Sequence, residues 1–268
     1  MIAILKNIRN GGEMPMQDIQ VKLDAVCIAT RMILESGGET YRAEETAERM
    51  CRGFGFENAD VLALPTGATI TVRDDKGTCH TRVARVHKRS INLKAIDDCN
   101  RVSRKASAGK IDAYEAVKEL QSIKEEKPFS QSMMLIACAL SSGFFTIMLG
   151  GRWPDLFVSL LCGFITQMML PFLAKRRVPS VLSGMICSFL TTFIALVSES
   201  LFSGILIEPV ISGAIMPILP GLAITNAIRD TIRGDLVSGG ARTVDAVLSA
   251  VLLAAGVGIM MSVWGGVL

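Results

Sequence analysis

Charge is what the second half of this 268-residue chain lacks. Residues 129–268 hold 7 of the 28 Lys+Arg and 6 of the 25 Asp+Glu, and residues 1–128 hold the other 21 and 19. A water-soluble surface of that length could not be so poor in charge. Histidine is nearly missing as well: His80 and His87 are the only two. On a strand, positions seven apart face opposite ways, so the pair shares no site unless the strand bulges or ends between them. The 7 cysteines form no CxxC pair and keep no regular interval, which fits reduced, packed thiols in a cytosolic setting. Cys79 beside His80 has no further ligand at a supporting interval, so no metal site is expected. GxGxxG, GxxxxGK[ST], HExxH and GxSxG are all absent, so the chain offers no phosphate cradle and no familiar hydrolase constellation. No catalytic residue and no cofactor is expected. The basic run Arg82, Arg85, Lys88, Arg89 has no interleaved aromatics. It suits a solvated face or lipid headgroups, and nucleic acid is not expected as a partner.

What is present divides at about residue 128. Residues 129–268 carry five apolar stretches, at 132–149, 156–174, 179–197, 206–222 and 244–263. Each is near the ~20 residues a bilayer core requires. Lys175, Arg176 and Arg177 fall between the second and third. Arg229, Arg233 and Arg242 fall between the fourth and fifth. Positive loops stay inside, so both loops and the preceding domain are expected on the cytoplasmic side, and the C-terminus outside. The opening MIAILKNIRN is too short an apolar run for a signal-peptide core, which agrees. Small residues recur in the spans (Ser142, Gly163, Gly184, Gly213, Gly256), as close helix packing in lipid favours.

Residues 1–128 have ordinary globular composition. Ile19, Leu23, Val26, Thr30 and Ile33 repeat at helical spacing, predicting a helix over about 17–36 that Gly37-Gly38 ends. A helix is expected over 40–51. Short β-rich runs follow, ADVLAL, ATITVR and TCHTRVARV, with a hairpin turn at Asp74-Asp75-Lys76-Gly77. Further helices are expected over 92–108 and from Asp112, which forms a capping box with Glu115, to about Ile123. The stretch KEEKP leads into the first span. The expected fold is thus an α-helical integral membrane protein of five transmembrane helices, preceded by a small cytoplasmic α+β domain, with domains at 1–128 and 129–268.

The fourth span breaks its own pattern. Pro217, Pro220 and Gly221 interrupt it, and charged residues follow. Proline frees a backbone carbonyl and removes a donor. In lipid, such irregular backbone survives only where protein or a wet cavity covers it, and transporters place substrate at broken helices of this kind. Asn226 and Asp230, four apart, share one helix face, while neighbouring Thr225 points elsewhere. Pro220, Gly221, Thr225, Asn226 and Asp230 are therefore the candidate substrate- or proton-binding residues. Asp230 could equally pair with an arginine such as Arg233 and only end the helix. Glu208 is a second intramembrane carboxylate, or reaches external water.

The stretch LPGLAITNAIRDTIRGDLVSGGAR resembles the signature of the threonine/serine exporter family, through Pro220, Gly221, Asn226, Ala227, Asp230, Gly234, Gly239 and Arg242. ESGGETYRAEE resembles a second element of that family, through Gly37, Gly38, Glu39, Thr40, Arg42 and Glu44. VHKRSINLKAIDDCNRVSR resembles a third, through Arg89, Asn92 and Leu93, with Ser90 where that element has glycine. The resemblance adds Glu39, Arg42, Arg89 and Asn92 as secondary candidates. It implies a secondary exporter rather than an enzyme, and the large, YjjP-like component of the family's split two-subunit form, implicated in succinate export. That form implies a small hydrophobic five-span partner subunit.

The expected function is export of threonine and serine, or of a small dicarboxylate such as succinate, across the inner membrane, driven by the proton gradient. For a dicarboxylate, Arg229, Arg233 and Arg242 are the cationic candidates. A membrane-anchored sensor or hydrolase whose soluble domain carries the activity, and a structural scaffold, are the alternatives. If the broken span lines a wet path, single cysteines at positions 222–230 react with small aqueous thiol reagents in the assembled complex. A uniformly inert run of these positions would remove that reading.

Overall fold

The computed structural model describes residues 15–74, 76–125 and 129–266. Asp75 of the expected hairpin turn, residues 126–128 of the expected link and the first residues of the chain lie outside these. The chain divides into two compact units: residues 1–126 with 226–241, and residues 127–225 with 242–268.

In the first unit, α1 (Pro15–Glu35) opens on proline, whose fixed φ suits a first helical position. Its helical repeat buries Leu23, Val26, Thr30 and Ile33. Gly37 ends it at φ +80, with Gly38 N donating to Ile33 O and Gly37 N to Leu34 O, which is a Schellman closure. Helix α2 (Thr40–Gly53) follows and buries Ala43, Thr46, Ala47 and Met50 along one face. The strands β1 (Ala59–Leu64), β2 (Gly67–Arg73) and β3 (Cys79–Arg85) form an antiparallel meander in chain order. Their inward positions, Ala63, Ala68, Ile70, Val72 and Ala84, join one hydrophobic core with α1 and α2.

Asp74 shapes the β2–β3 connection: its Oδ1 accepts from Lys76 N and Thr78 N, and its Oδ2 lies 3.0 Å from His80 Nε2. The His80 hydrogen bond is the main reason the Asp74 carboxyl is held below the ordinary aspartate range. Helix α3 (Leu93–Ser107) is capped by Asn92, whose side chain accepts from Ala95 N. Helix α4 (Ala113–Glu125) starts with the expected box, Asp112 Oδ1 to Glu115 N at 2.8 Å and Glu115 Oε2 to Asp112 N at 3.3 Å. Burial pushes the Cys51 and Cys99 thiols up to about 12 and Cys27 to about 11, as in inert packed cysteines.

The second unit holds the apolar helices α5 (Gln131–Met148), α6 (Trp153–Lys175), α7 (Ser180–Leu201) and α8 (Ile207–Ile215). It also holds the larger part of α10 (Leu236–Gly265). Four helices (α5, α6, α7 and α10) are long and apolar enough to cross a membrane. The fifth expected span is a bent pair. A 3-10 turn, Met216–Ile218, extends α8; the chain then breaks and continues as α9 (Gly221–Ile232), bent by 60°. Among the described residues there are thus four candidate spans, or five if the bent pair crosses as one. The helix of the last span begins at Leu236, earlier than the expected 244, because Arg242 and the residues around it continue the helix rather than forming a loop before it.

Hydroxyls and small residues hold this unit together, as expected where lipid removes the hydrophobic drive between helices. Ser159 Oγ bonds Thr146 Oγ1 and donates to Val210 O at 3.2 Å, joining α5, α6 and α8. Ser188 Oγ donates to Leu253 O at 2.9 Å, joining α7 to α10. Asp155, fully buried, accepts from the backbone N–H of Arg152 and of Leu206. At Gly213 a Cβ would sit 2.7 Å from Thr146 Cα, closer than a side chain tolerates. Gly213→Val is expected to destabilise the protein by roughly 1–3 kcal/mol through overpacking. Gly258→Ala, which meets nothing within 4 Å, is close to neutral. Equal unfolding midpoints in detergent for both variants would contradict this packing.

Candidate functional site

The bent pair delivers its second helix into the N-terminal unit. Residues 226–241 comprise the end of α9, a turn, and the first turn of α10. The turn needs Gly234, which sits at φ +91. The two helices then approach closely at Gly239, where a Cβ would lie 2.9 Å from Thr231 N and 3.0 Å from Ala227 O. Asp235 caps α10 through Oδ1, which accepts from Ser238 N at 3.1 Å.

This helical hairpin is held by the loop between α1 and α2. Asn226 Nδ2 donates to Gly37 O at 2.9 Å. Thr40 Oγ1 donates to Asp235 Oδ2 at 2.8 Å. Glu39 is buried, 7% exposed, and its carboxylate lies between two cations: Oε2 is 3.1 Å from Arg42 Nε, and Oε1 pairs with Arg229 Nη1. The Arg233 guanidinium stacks 3.5 Å over the Tyr41 ring, whose hydroxyl accepts from Arg42. Glu44, one turn further along α2, accepts from Ala63 N of β1. Burial raises its pKa above the usual glutamate value, and the charges of Asp235, Glu48 and Asp230 add to that.

The third motif lies on the other side of the same loop. Ser90 N donates to Glu35 O and Asn92 N to Ser36 O. Ser90 O is 3.2 Å from where a Cβ on Gly37 would stand. Ser90 keeps a negative φ, so serine fits where the family element has glycine. Three sequence elements far apart in the chain thus meet around Gly37–Arg42.

The expected residues divide accordingly. Glu39, Arg42, Asn226, Arg229 and Arg233 come together directly, and Asn92 joins them through the loop backbone. Asp230 is 1% exposed on the α9 face that also carries buried Asn226. Arg89 is exposed. Pro220, Gly221 and Thr225 stand at the exposed or half-buried start of α9, with Thr225 Oγ1 bonded back to Gly221 O. Glu208 is exposed in the first turn of α8, and Arg242 is buried in α10. Among the described residues no cluster of His, Cys, Asp and Glu could hold a metal ion. Thr40, Tyr41, Glu44 and Asp235 are the participants that sequence reasoning did not place at the site. For Asp235 a signal existed: an aspartate three residues before Ser238 at a helix start.

Long apolar helices with an interrupted one among them define an α-helical multi-pass membrane protein. The family model of the ThrE threonine/serine exporters matches residues 24–264, and the chain belongs to that family. It is similar to the probable succinate transporter subunit YjjP of Klebsiella aerogenes, with 22% identity over 90% of this chain and 93% of the relative. The protein of the same name in Escherichia coli is 22% identical over 87% of this chain and 91% of that one. A threonine/serine exporter of Corynebacterium glutamicum is 27% identical over 65% of this chain but only 37% of its own length. No solved structure matches.

The two arms of the Glu39 clamp act on one carboxylate, so their effects should not add. In a double-mutant cycle on unfolding in detergent, Glu39→Gln and Arg229→Gln are expected to show a coupling energy of about 1 kcal/mol. Strict additivity would mean that the pair contributes nothing to holding the hairpin.

Proposed function

We propose that this chain is one subunit of a secondary exporter in the inner membrane, in which Asn226 and Asp230 of α9 bind substrate or proton. Residues 1–128 form the cytoplasmic domain in this reading, residues 129–268 cross the membrane, and the C-terminus lies outside. The observation that carries it is the buried carboxylate of Asp230 on the same helix face as Asn226, directly after a backbone break in an apolar segment. A buried carboxylate is expensive unless it is paired or serves a site. Pro220, Gly221 and Thr225 form the entrance to that helix.

The Glu39 clamp supplies the gate. Arg42 and Arg229 share the carboxylate, so competition for Arg229 by an anionic substrate, or protonation among the neighbouring acids, loosens the hold on α9. The raised pKa of Glu44 supports proton involvement: burial first, and then the charges of Asp235, Glu48 and Asp230, favour its neutral form. The cargo is a small carboxylate-bearing metabolite, either threonine and serine or a dicarboxylate such as succinate. Arg233 and Arg242 are the further cations a dicarboxylate would use, with Glu208, Arg89 and Asn92 supporting the path. The subunit reading is supported by the YjjP relatives, which are named as transporter subunits and are covered over 93% and 91% of their lengths. A small five-span partner subunit completes the assembly.

In proteoliposomes containing this chain and its partner, preloaded threonine, serine or succinate leaves faster when a pH gradient is imposed. Asp230→Asn and Asn226→Ala reduce that efflux at least about tenfold while the protein still inserts, as loss of a substrate or proton contact worth ~1.4 kcal/mol or more would do. Efflux equal to that of empty vesicles, or unchanged by both substitutions, would overturn the proposal.

A further inference from the structure

A half-open cavity of about 180 Å3 lies in the N-terminal unit, bordered by α1, the segment 90–92, α3 and the end of α4. Ile28, Met32, Ala95 and Ile123 supply an apolar floor. The polar wall is of mixed charge. Arg31 and Glu35, one helical turn apart on α1, both line the cavity, yet they form no ion pair with each other among the described residues. The Arg31 Nε is buried with no hydrogen-bond partner. Such a group costs free energy unless something absent from the chain satisfies it. Glu35 likewise makes no side-chain hydrogen bond or ion pair among the described residues. The hydroxyls of Ser36 and Ser90, also on the wall, are uncommitted in the same sense. The backbone beneath them is fixed, because Ser90 N and Asn92 N donate to Glu35 O and Ser36 O. Asn92 is already spent on capping α3.

We infer that this cavity binds a short α-amino acid in its zwitterionic form. The guanidinium of Arg31 takes the carboxylate, for which its planar fork is suited. The Glu35 carboxylate takes the ammonium group, and Ser36 and Ser90 complete the hydrogen bonds. A short side chain rests on the apolar floor, and Lys124 at the rim adds attraction for the carboxylate. A dicarboxylate would leave Glu35 facing a like charge, and an amine alone would leave Arg31 unsatisfied. The site uses no residue of the α9 hairpin and shares only Asn92, through its wall, with the path proposed above; resting on that reading, it places an amino-acid sensor on the exporter.

Isothermal titration of the full chain in detergent with L-serine tests this, alongside ethanolamine, 3-hydroxypropionate, succinate and inorganic phosphate. L-serine is expected to bind at least about tenfold more tightly than either half-molecule, since each lacks one charged contact. Arg31→Lys weakens L-serine by a similar factor. Glu35→Gln weakens L-serine but not 3-hydroxypropionate. The losses caused by Arg31→Lys and Glu35→Gln persist in an Asp230→Asn background, which separates this site from the transport reading. Unfolding midpoints of the Arg31 and Glu35 variants close to the parent's show that the fold is intact. A flat L-serine isotherm, tighter binding of succinate or phosphate, or L-serine binding that Arg31→Lys leaves intact in the Asp230→Asn background would overturn the inference.

Discussion

A buried carboxylate must be paired, and in this protein Glu39 is the one on which the arrangement of the site depends. It sits at the N-terminus of α2, where the helix dipole favours an anion, with Arg42 on one side and Arg229 on the other. Around it, the carbonyl of Gly37 receives Asn226, and Thr40 reaches Asp235. Each contact joins the α1–α2 loop to the hairpin of residues 226–241. Removing the carboxylate would leave Arg229 and Arg42, both partly exposed, facing the loop without their shared counter-charge. The left-handed turn at Gly37 presents this group, which is why a glycine must stand there.

The bilayer imposes the second constraint. A helix in lipid satisfies its backbone internally, and the segment from Ile207 to Ile232 does not: it breaks after Ile218 and turns by 60°. The remaining apolar helices do without such breaks and instead make their contacts through hydroxyls and glycines. Thr146, Ser159 and Val210 tie three helices at one point, and Gly213 lets two backbones meet there. The same residue types thus hold the membrane helices together, while prolines and a glycine mark the place where the chain departs from a regular span.

Local chemistry made most elements legible. The 3.6-residue repeat from Ile19 to Ile33, the alternating runs at 59–64 and 68–73, and the Asp112–Glu115 box each specify their own structure through nearest neighbours. The broken span was legible for the same reason, since proline acts on its own turn. The start of α10 was not. A hydropathy window sees the charged run up to Arg242 and places the span after it, whereas the helix already begins at Leu236, capped by Asp235. Thr40 and Asp235 as partners were also hidden, because a hydrogen bond across 195 residues leaves no trace in spacing.

The sequence by itself determined that the chain divides into a charged half and an apolar half, where its helices and strands run, where one span breaks, and which motifs it carries. It also put Asn226 and Asp230 on one helix face, because four residues make about one turn. Only the tertiary structure decided that these motifs are neighbours. Hydrophobic periodicity and capping act over a few residues, but the pairing of Glu39 with Arg229 and of Asn226 with Gly37 depends on how the bent α9 folds back, and nothing local encodes that return.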